Sequence, residues 1–216
     1  MIADAGRASP ATLRLLVPQA KFCALVITMT TLAIPAAYAG PAHDAARQGD
    51  LAALTKLLAS GTPVEDRDST GETPLLSASL AGHAKIVDFL LSQHAKLDAR
   101  NDRGLTPLDA ATYGGHADVA ELLIKNGAAV NDANNRYKTT PLIIAAEDGR
   151  TELVKLLISN GADLEAAEVN GYSALTQAWA VEKWDTVDVL LAAGANCQPK
   201  EIMGSEWFEA CTKRKK

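Results

Sequence analysis

The sequence predicts an all-α solenoid of about five stacked helix–turn–helix repeats, on three observations. Thr73-Pro74-Leu75 recurs as Thr106-Pro107-Leu108, as Thr140-Pro141-Leu142 and, degraded, as Ser173-Ala174-Leu175, at intervals of 33, 34 and 33 residues. A fixed period of this length marks a chain built from one repeated supersecondary unit. Further markers keep constant offsets: Gly82-His83, Gly115-His116 and Gly149-Arg150, then Leu57-Leu58, Leu90-Leu91, Leu122-Leu123, Leu156-Leu157 and Leu190-Leu191. The composition agrees, because 48% of residues are apolar but only 5% aromatic. An apolar content made mostly of Ala and Leu suits closely packed helices rather than a sheet-based core.

The first 39 residues stand apart. Arg14 and Lys21 precede a 13-residue apolar run, Phe22–Ile34, interrupted only by Thr; Pro35 follows, then Ala37-Tyr38-Ala39. A charged region, an apolar core and an A-x-A site in this order read as a secretory signal peptide cut after Ala39, which leaves Gly40 as the mature terminus. The competing membrane anchor needs about 20 apolar residues, more than this core supplies. Cys23 opens the apolar core instead of closing it, which argues against a lipid anchor. Export brings oxidising conditions. The remaining pair, Cys197 and Cys211, is then either a disulfide, worth about 3 kcal/mol for a loop of about 15 residues, or two buried thiols; export favours the disulfide.

Within each repeat the markers have physical jobs. Thr caps the free N–H groups of the first helix, and Pro is tolerated in its first turn. Paired alanines such as Ala45-Ala46, Ala110-Ala111 and Ala145-Ala146 let helices approach. Glycine then permits the tight turn into a second helix, whose Ile86, Val87, Leu90 and Leu91 form one apolar stripe. Gly61, Gly127, Gly161 and Gly194 fit a left-handed helix ending, with His94 standing in once. A polar segment such as 98–104 leads as a finger to the next Thr-Pro.

These residues resemble the ankyrin repeat, with its D-x-x-G-x-T-P-L-H-x-A-A-x-x-G-H pattern and later L-L-x-x-G-A, over about residues 41–197. The resemblance implies helix pairs with outward β-turn fingers, stacked into a curved solenoid with capped ends. The segments are a signal peptide 1–39, an amino-terminal capping repeat 40–69, repeats 70–102, 103–135, 136–169 and 170–198, and a tail 199–216. The His of the T-P-L-H motif is kept only at His43. Leu76, Asp109, Ile143 and Thr176 replace it, so these four repeats are expected to be slightly looser. The finger of the fourth repeat, Asn134–Thr139, is expected to hold one extra residue. Trp179 stands where Ala is usual, a position a bulky ring fits only beside a nonstandard cap. The tail is expected to fold back and supply it through Trp207-Phe208, pinned by Cys197–Cys211, the alternative being a frayed end.

The charge excludes one class of partner. Against −5 for the whole chain, a leader of +2 leaves −7 on the rest, a poor match for nucleic acid. His83 and His116 occupy equivalent positions, but packed helices lie about 8–10 Å apart and two zinc ligands each need about 2 Å, so a shared metal does not fit. No serine or cysteine sits in a nucleophile elbow with a base nearby, and no glycine cluster forms a phosphate loop. The chain reads as non-enzymatic and monomeric. It has no cofactor, no metal and no small-molecule substrate, and it meets membrane only in transit.

Stacked repeats recognise partners through their concave face and fingers, and interface anchors are enriched in Tyr, Trp and Arg. The candidates are Arg67, Arg100, Asp102, Arg103, Arg136 and Tyr137 on the fingers, with Tyr113, Ile144 and Glu147 on the first helices. A leader followed by solitary repeats of this kind looks like the bacterial periplasmic ankyrin proteins. That resemblance implies a periplasmic or secreted protein that supports an envelope enzyme, such as a peroxide-removing one, or gives immunity against a toxin. The alternative is a secreted effector that binds host proteins through the same surface.

Overall fold

In a computed structural model, residues 40–215 are described. The segment expected to be a signal peptide, with Cys23 and Ala39, lies outside them. The described residues belong to a compact unit of their own. They form five helix pairs followed by a helical tail. The pairs are α1 Pro41–Gln48 with α2 Leu51–Ala59, α3 Pro74–Ala81 with α4 Ala84–Ser92, α5 Pro107–Gly114 with α6 Ala117–Lys125, α7 Pro141–Glu147 with α8 Thr151–Ser159, and α9 Ala174–Ala180 with α10 Trp184–Ala192. The tail holds α11 Lys200–Met203 and α12 Ser205–Arg214.

Two layers result. Helices α1, α3, α5, α7 and α9 touch in succession as an inner layer, and α4, α6, α8 and α10 do so as an outer one. The inner helices begin as the motif dictates. Thr73, Thr106, Thr140 and Ser173 each accept the backbone N–H three residues on, at 3.2–3.5 Å. The core lies between the layers: Leu75, Leu108, Leu142 and Leu175 from the inner helices meet Leu54, Leu90, Leu123, Leu157 and Leu190 from the outer ones, all buried. At about 1.5–3 kcal/mol for each fully buried aliphatic side chain, this file of leucines supplies most of the drive for stacking.

Successive repeats are also sewn together at the turn inside each pair. His83 Nε2 bonds the carbonyl of Arg47 at 2.9 Å, and His116 Nε2 that of Leu80 at 3.0 Å. Each ring lies over the glycine that ends the preceding inner helix. At Gly82, whose φ is +79°, an added Cβ would run into His116. Glycine is required there both for the left-handed turn and for the room it leaves.

The expected loosening is absent from α5. Asp109 accepts the backbone N–H and the hydroxyl of Thr106, each at 2.9 Å, and completes a capping box. Leu76 and Ile143 are buried at the equivalent positions. In the last repeat its final residue, Gln198, supplies the missing tie. Gln198 accepts from the Thr176 hydroxyl and from the Ser173 N–H, and donates to Gly171 O at 2.8 Å.

The tail folds onto the last repeat. Met203 and Cys211 are buried in the common core, with Trp207 half-buried against it. A disulfide joins Cys197 to Cys211, their Cα atoms 5.9 Å apart. Arg214 makes a two-pronged bond to Asp188 at 2.6 and 2.8 Å, and Lys215 donates to Ala195 O and Asn196 Oδ1, both at 2.9 Å. The cover on Trp179 differs in part from expectation. Its ring meets Trp184 of its own helix pair edge-on, centroids 5.3 Å apart, Arg214 lies 5.2 Å over Trp184, and Phe208 stays exposed. The pairing follows from position, because Trp184 opens α10 just beyond the turn that Trp179 leads into.

Candidate partner-binding surface

Four fingers join one helix pair to the next, and one side-chain device, half-buried or buried, shapes them all. Asp68, Asn101, Asn135 and Glu168 recur at 33, 34 and 33 residues. Each side chain accepts backbone N–H groups from its own finger tip: Thr70 at 2.8 Å, Arg103 at 3.0 Å, Tyr137 at 3.2 Å and Tyr172 at 3.3 Å. Lys138, whose φ is +56°, stands at the register of the positive-φ glycines Gly71, Gly104 and Gly171; the extra residue expected within 134–139 lies instead between Gly127 and Asn135, a span one longer than in the other repeats. Burial pulls the Asp68 carboxyl up, but the hydrogen bonds from Thr70 and Glu72 win and hold it below its usual range.

The fingers are linked tip to tip by backbone bonds. Asp102 N donates to Thr70 O at 3.0 Å, Arg136 N to Arg103 O at 3.2 Å, and Val169 N to Tyr137 O at 2.9 Å. Two of the arginines expected to meet a partner are consumed in this linkage. Arg67 donates to Gly71 O at 2.7 Å and to Arg100 O at 2.6 Å. Arg100 donates to Gly104 O at 3.0 Å and pairs with Asp132 at 2.5 Å. Their fork of donors reaches one finger further along, so they brace the surface from within the chain.

Ile144 is a correction as well. It is only 2% exposed, and Ser77 and Ala110 at the same position of α3 and α5 are buried too. Each of these helices has an inner neighbour on both sides, so the strip left to solvent is narrower than the motif suggested. It centres on Tyr113 and Glu147, which occupy equivalent positions on α5 and α7.

The remaining candidates stay on the surface. Tyr113 is 42% and Tyr137 41% exposed, and Asp102, Arg103, Arg136, Glu147 and Asp148 are exposed beside them in sequence or register. Electrostatics tie several together. The Tyr113 hydroxyl is pushed up to about 12, first by burial, then by the charges of Glu147, Asp109 and Asp148, against the pull of Arg103. The Glu147 carboxyl is raised by burial and by Asp148 and Glu168. One neighbourhood thus spans α5, α7 and two fingers, with an aromatic ring among carboxylates that repel one another. Val169, 58% exposed at the last finger tip, was missed. An apolar residue at the register of Asp102 and Arg136 was the signal that could have found it.

The arrangement can bind, with aromatic faces, carboxylates and two unburied guanidinium groups on a braced frame. Among the described residues, no group of three or more His, Cys, Asp or Glu could hold a metal ion, and no helix is long and apolar enough to cross a membrane.

The family profile described as "Ankyrin repeats (3 copies)" matches residues 42–134 and 127–201. The chain belongs to the ankyrin-repeat family. As such it is a protein–protein interaction module, whose stacked units offer a continuous recognition face. Similar curated proteins include "Protein fem-1 homolog A" from Bos taurus and from Homo sapiens, and "Protein fem-1 homolog A-like" from Mus musculus. Each is 45% identical over 51 residues, covering 24% of this ankyrin-repeat chain. The match spans 8% of the length of each of these relatives.

Proposed function

We propose that the mature ankyrin-repeat chain, exported by residues 1–39 and cut after Ala39, is a monomeric, non-enzymatic binding protein of the bacterial cell envelope. It takes a protein partner on the concave inner-helix face and the fingers. Among the envelope roles that fit are support of an enzyme, such as a peroxide-removing one, and immunity to a toxin.

The observation that carries the surface assignment is the Tyr113–Glu147 neighbourhood. Its carboxylates are partly desolvated and face like charges, while an exposed ring stands among them. A partner that lays a Lys or Arg side chain on Tyr113 relieves the repulsion and gains a cation–π contact of about 0.5–2 kcal/mol. Rim charges of this kind govern orientation and association rate. Tyr137 and Arg136 extend the contact to the third finger.

The test is crosslinking and capture from native envelope extract, run beside a Tyr113→Ala, Arg136→Ala, Tyr137→Ala variant checked for unchanged melting. One protein that is enriched by the parent and lost with the variant supports the surface. Enrichment that survives the variant moves the site to another face. Accumulation of the mature protein in the medium instead of the envelope favours the secreted effector.

A further inference from the structure

Gly40 caps the amino end of α1, and its surroundings are unusual for a surface residue. Its carbonyl accepts from His43 N at 3.0 Å and Asp44 N at 3.1 Å. A Cβ placed on Gly40 would lie 3.1 Å from His43 Nδ1 and 3.3 Å from Asp66 Oδ2. His43 is fully buried, and its Nε2 faces two carbonyl oxygens, Asp66 at 3.0 Å and Glu72 at 2.9 Å. Two acceptors require that Nε2 carry the proton, which in the neutral ring leaves Nδ1 a bare acceptor. Nδ1 has no partner among the described residues, and the Asp66 carboxylate makes no hydrogen bond or ion pair there. A buried acceptor left unmatched costs about 1–3 kcal/mol. Two acceptors therefore converge on one small space into which the described residues place no donor.

We infer that the donor is the α-ammonium of Gly40 itself, created when the leader is removed, and that His43 Nδ1 and Asp66 Oδ2 form its docking site. The inference rests on cleavage after Ala39. Within the uncut chain the Gly40 nitrogen is an amide with one N–H, held by the residue before it. Hydrolysis of the Ala39–Gly40 bond adds water across it, so Ala39 leaves as a carboxylate and the Gly40 nitrogen takes up protons to become an ammonium with three donors. A terminal glycine has no preceding carbonyl to clash, so one threefold step about its Cα–C bond carries the nitrogen into the position a Cβ would occupy. A C–N bond is about as long as a C–C bond. The nitrogen then stands at hydrogen-bond distance from Nδ1 and within ion-pair distance of Asp66. The positive end of α1 by itself disfavours a cation, so Asp66, with Asp44 in the first turn, is what makes docking favourable. Since Asp66 and Glu72 also hold His43 through their carbonyls, the amine locks the first finger to the first helix.

The experiment compares two forms of the mature protein, one beginning at Gly40 and one retaining Ala39, in which the same nitrogen is an amide. The Gly40 form is expected to melt about 2–4 °C higher, and its amine to react more slowly with an acylating reagent. Asp66→Asn in the Gly40 form should erase both differences. The same substitution in the Ala39-retaining form should leave melting unchanged, which separates loss of docking from loss of folding. Equal melting of the two parent forms overturns the inference. The intact mass of the protein exported from the full chain is read separately. A mass beginning at Gly40 leaves the export reading standing whatever the melting shows, and a different terminus overturns that reading together with the docking role.

Discussion

Asp109 stands where two sister repeats bury Leu76 and Ile143, and it should make this protein's stability fall as pH rises through weak acid. Burial pushes its carboxyl from 3.8 up to about 6, against the hydrogen bonds from Thr106 and the charge of Arg100, with Asp132 adding to the rise. One oxygen accepts twice from Thr106, while Oδ1 has no partner. Below the unfolded value the group is protonated in both states and changes nothing. Between 3.8 and about 6 the folded chain keeps a proton that the unfolded chain has released, so each rise in pH removes stability. Above that window the full cost applies, about 3 kcal/mol. Asp109→Asn keeps the shape and the acceptor oxygen toward Thr106, places an amide donor at the orphan position, and abolishes the titration. Its stability relative to the parent should therefore improve by about 2 kcal/mol between about pH 4.5 and about pH 7.5, then level off. Urea unfolding followed by circular dichroism at several pH values measures this as a difference in which all other groups cancel. A parent-minus-variant difference that does not change with pH would refute the buried ionised carboxylate.

Three more perturbations probe the stitching. Arg100→Ala leaves Asp132 Oδ2 without its partner, on a side chain only 7% exposed whose Oδ1 keeps the Asn134 N–H, and should cost about 1–3 kcal/mol in urea unfolding without changing the captured partner. Reduction, or Cys211→Ser, opens the loop that holds the tail on the last repeat; calorimetry should show a loss of about 3 kcal/mol, with Trp184 fluorescence shifting as Arg214 leaves its ring. His94 holds φ +63° where the other repeats have glycine, so His94→Gly should raise the melting temperature, by about 1 kcal/mol of relieved strain.

The repeat period made the fold legible because the capping Thr and the paired leucines act within their own repeat. Thr73 caps a helix three residues away, and Leu90 buries itself wherever the helix pair forms. The substitutions of the motif histidine were less legible. A missing His43-type ring suggests a missing tie, but Asp109 found Thr106 next to it, and Thr176 found Gln198 at the end of the last repeat. The tie to Gln198 joins residues 22 apart, and Gln198 lies beyond the end of the motif.

The same distinction explains the candidate surface. Tyr113, Glu147 and Tyr137 could be picked out because their positions within a repeat leave them outside the core. Arg67 and Arg100 could not be recognised as internal braces, because their acceptors lie 33 and 32 residues away, on the next finger. Ile144 went the same way, since its burial depends on how closely α7 is flanked. What a residue does in a repeat protein is thus set twice, once by its place in the unit and once by its neighbour in the next. A finger arginine that finds a carbonyl or a carboxylate within reach one repeat on is a brace. Arg103 and Arg136, exposed and joined to each other through the backbone at 3.2 Å, are the finger arginines that the proposed partner surface retains.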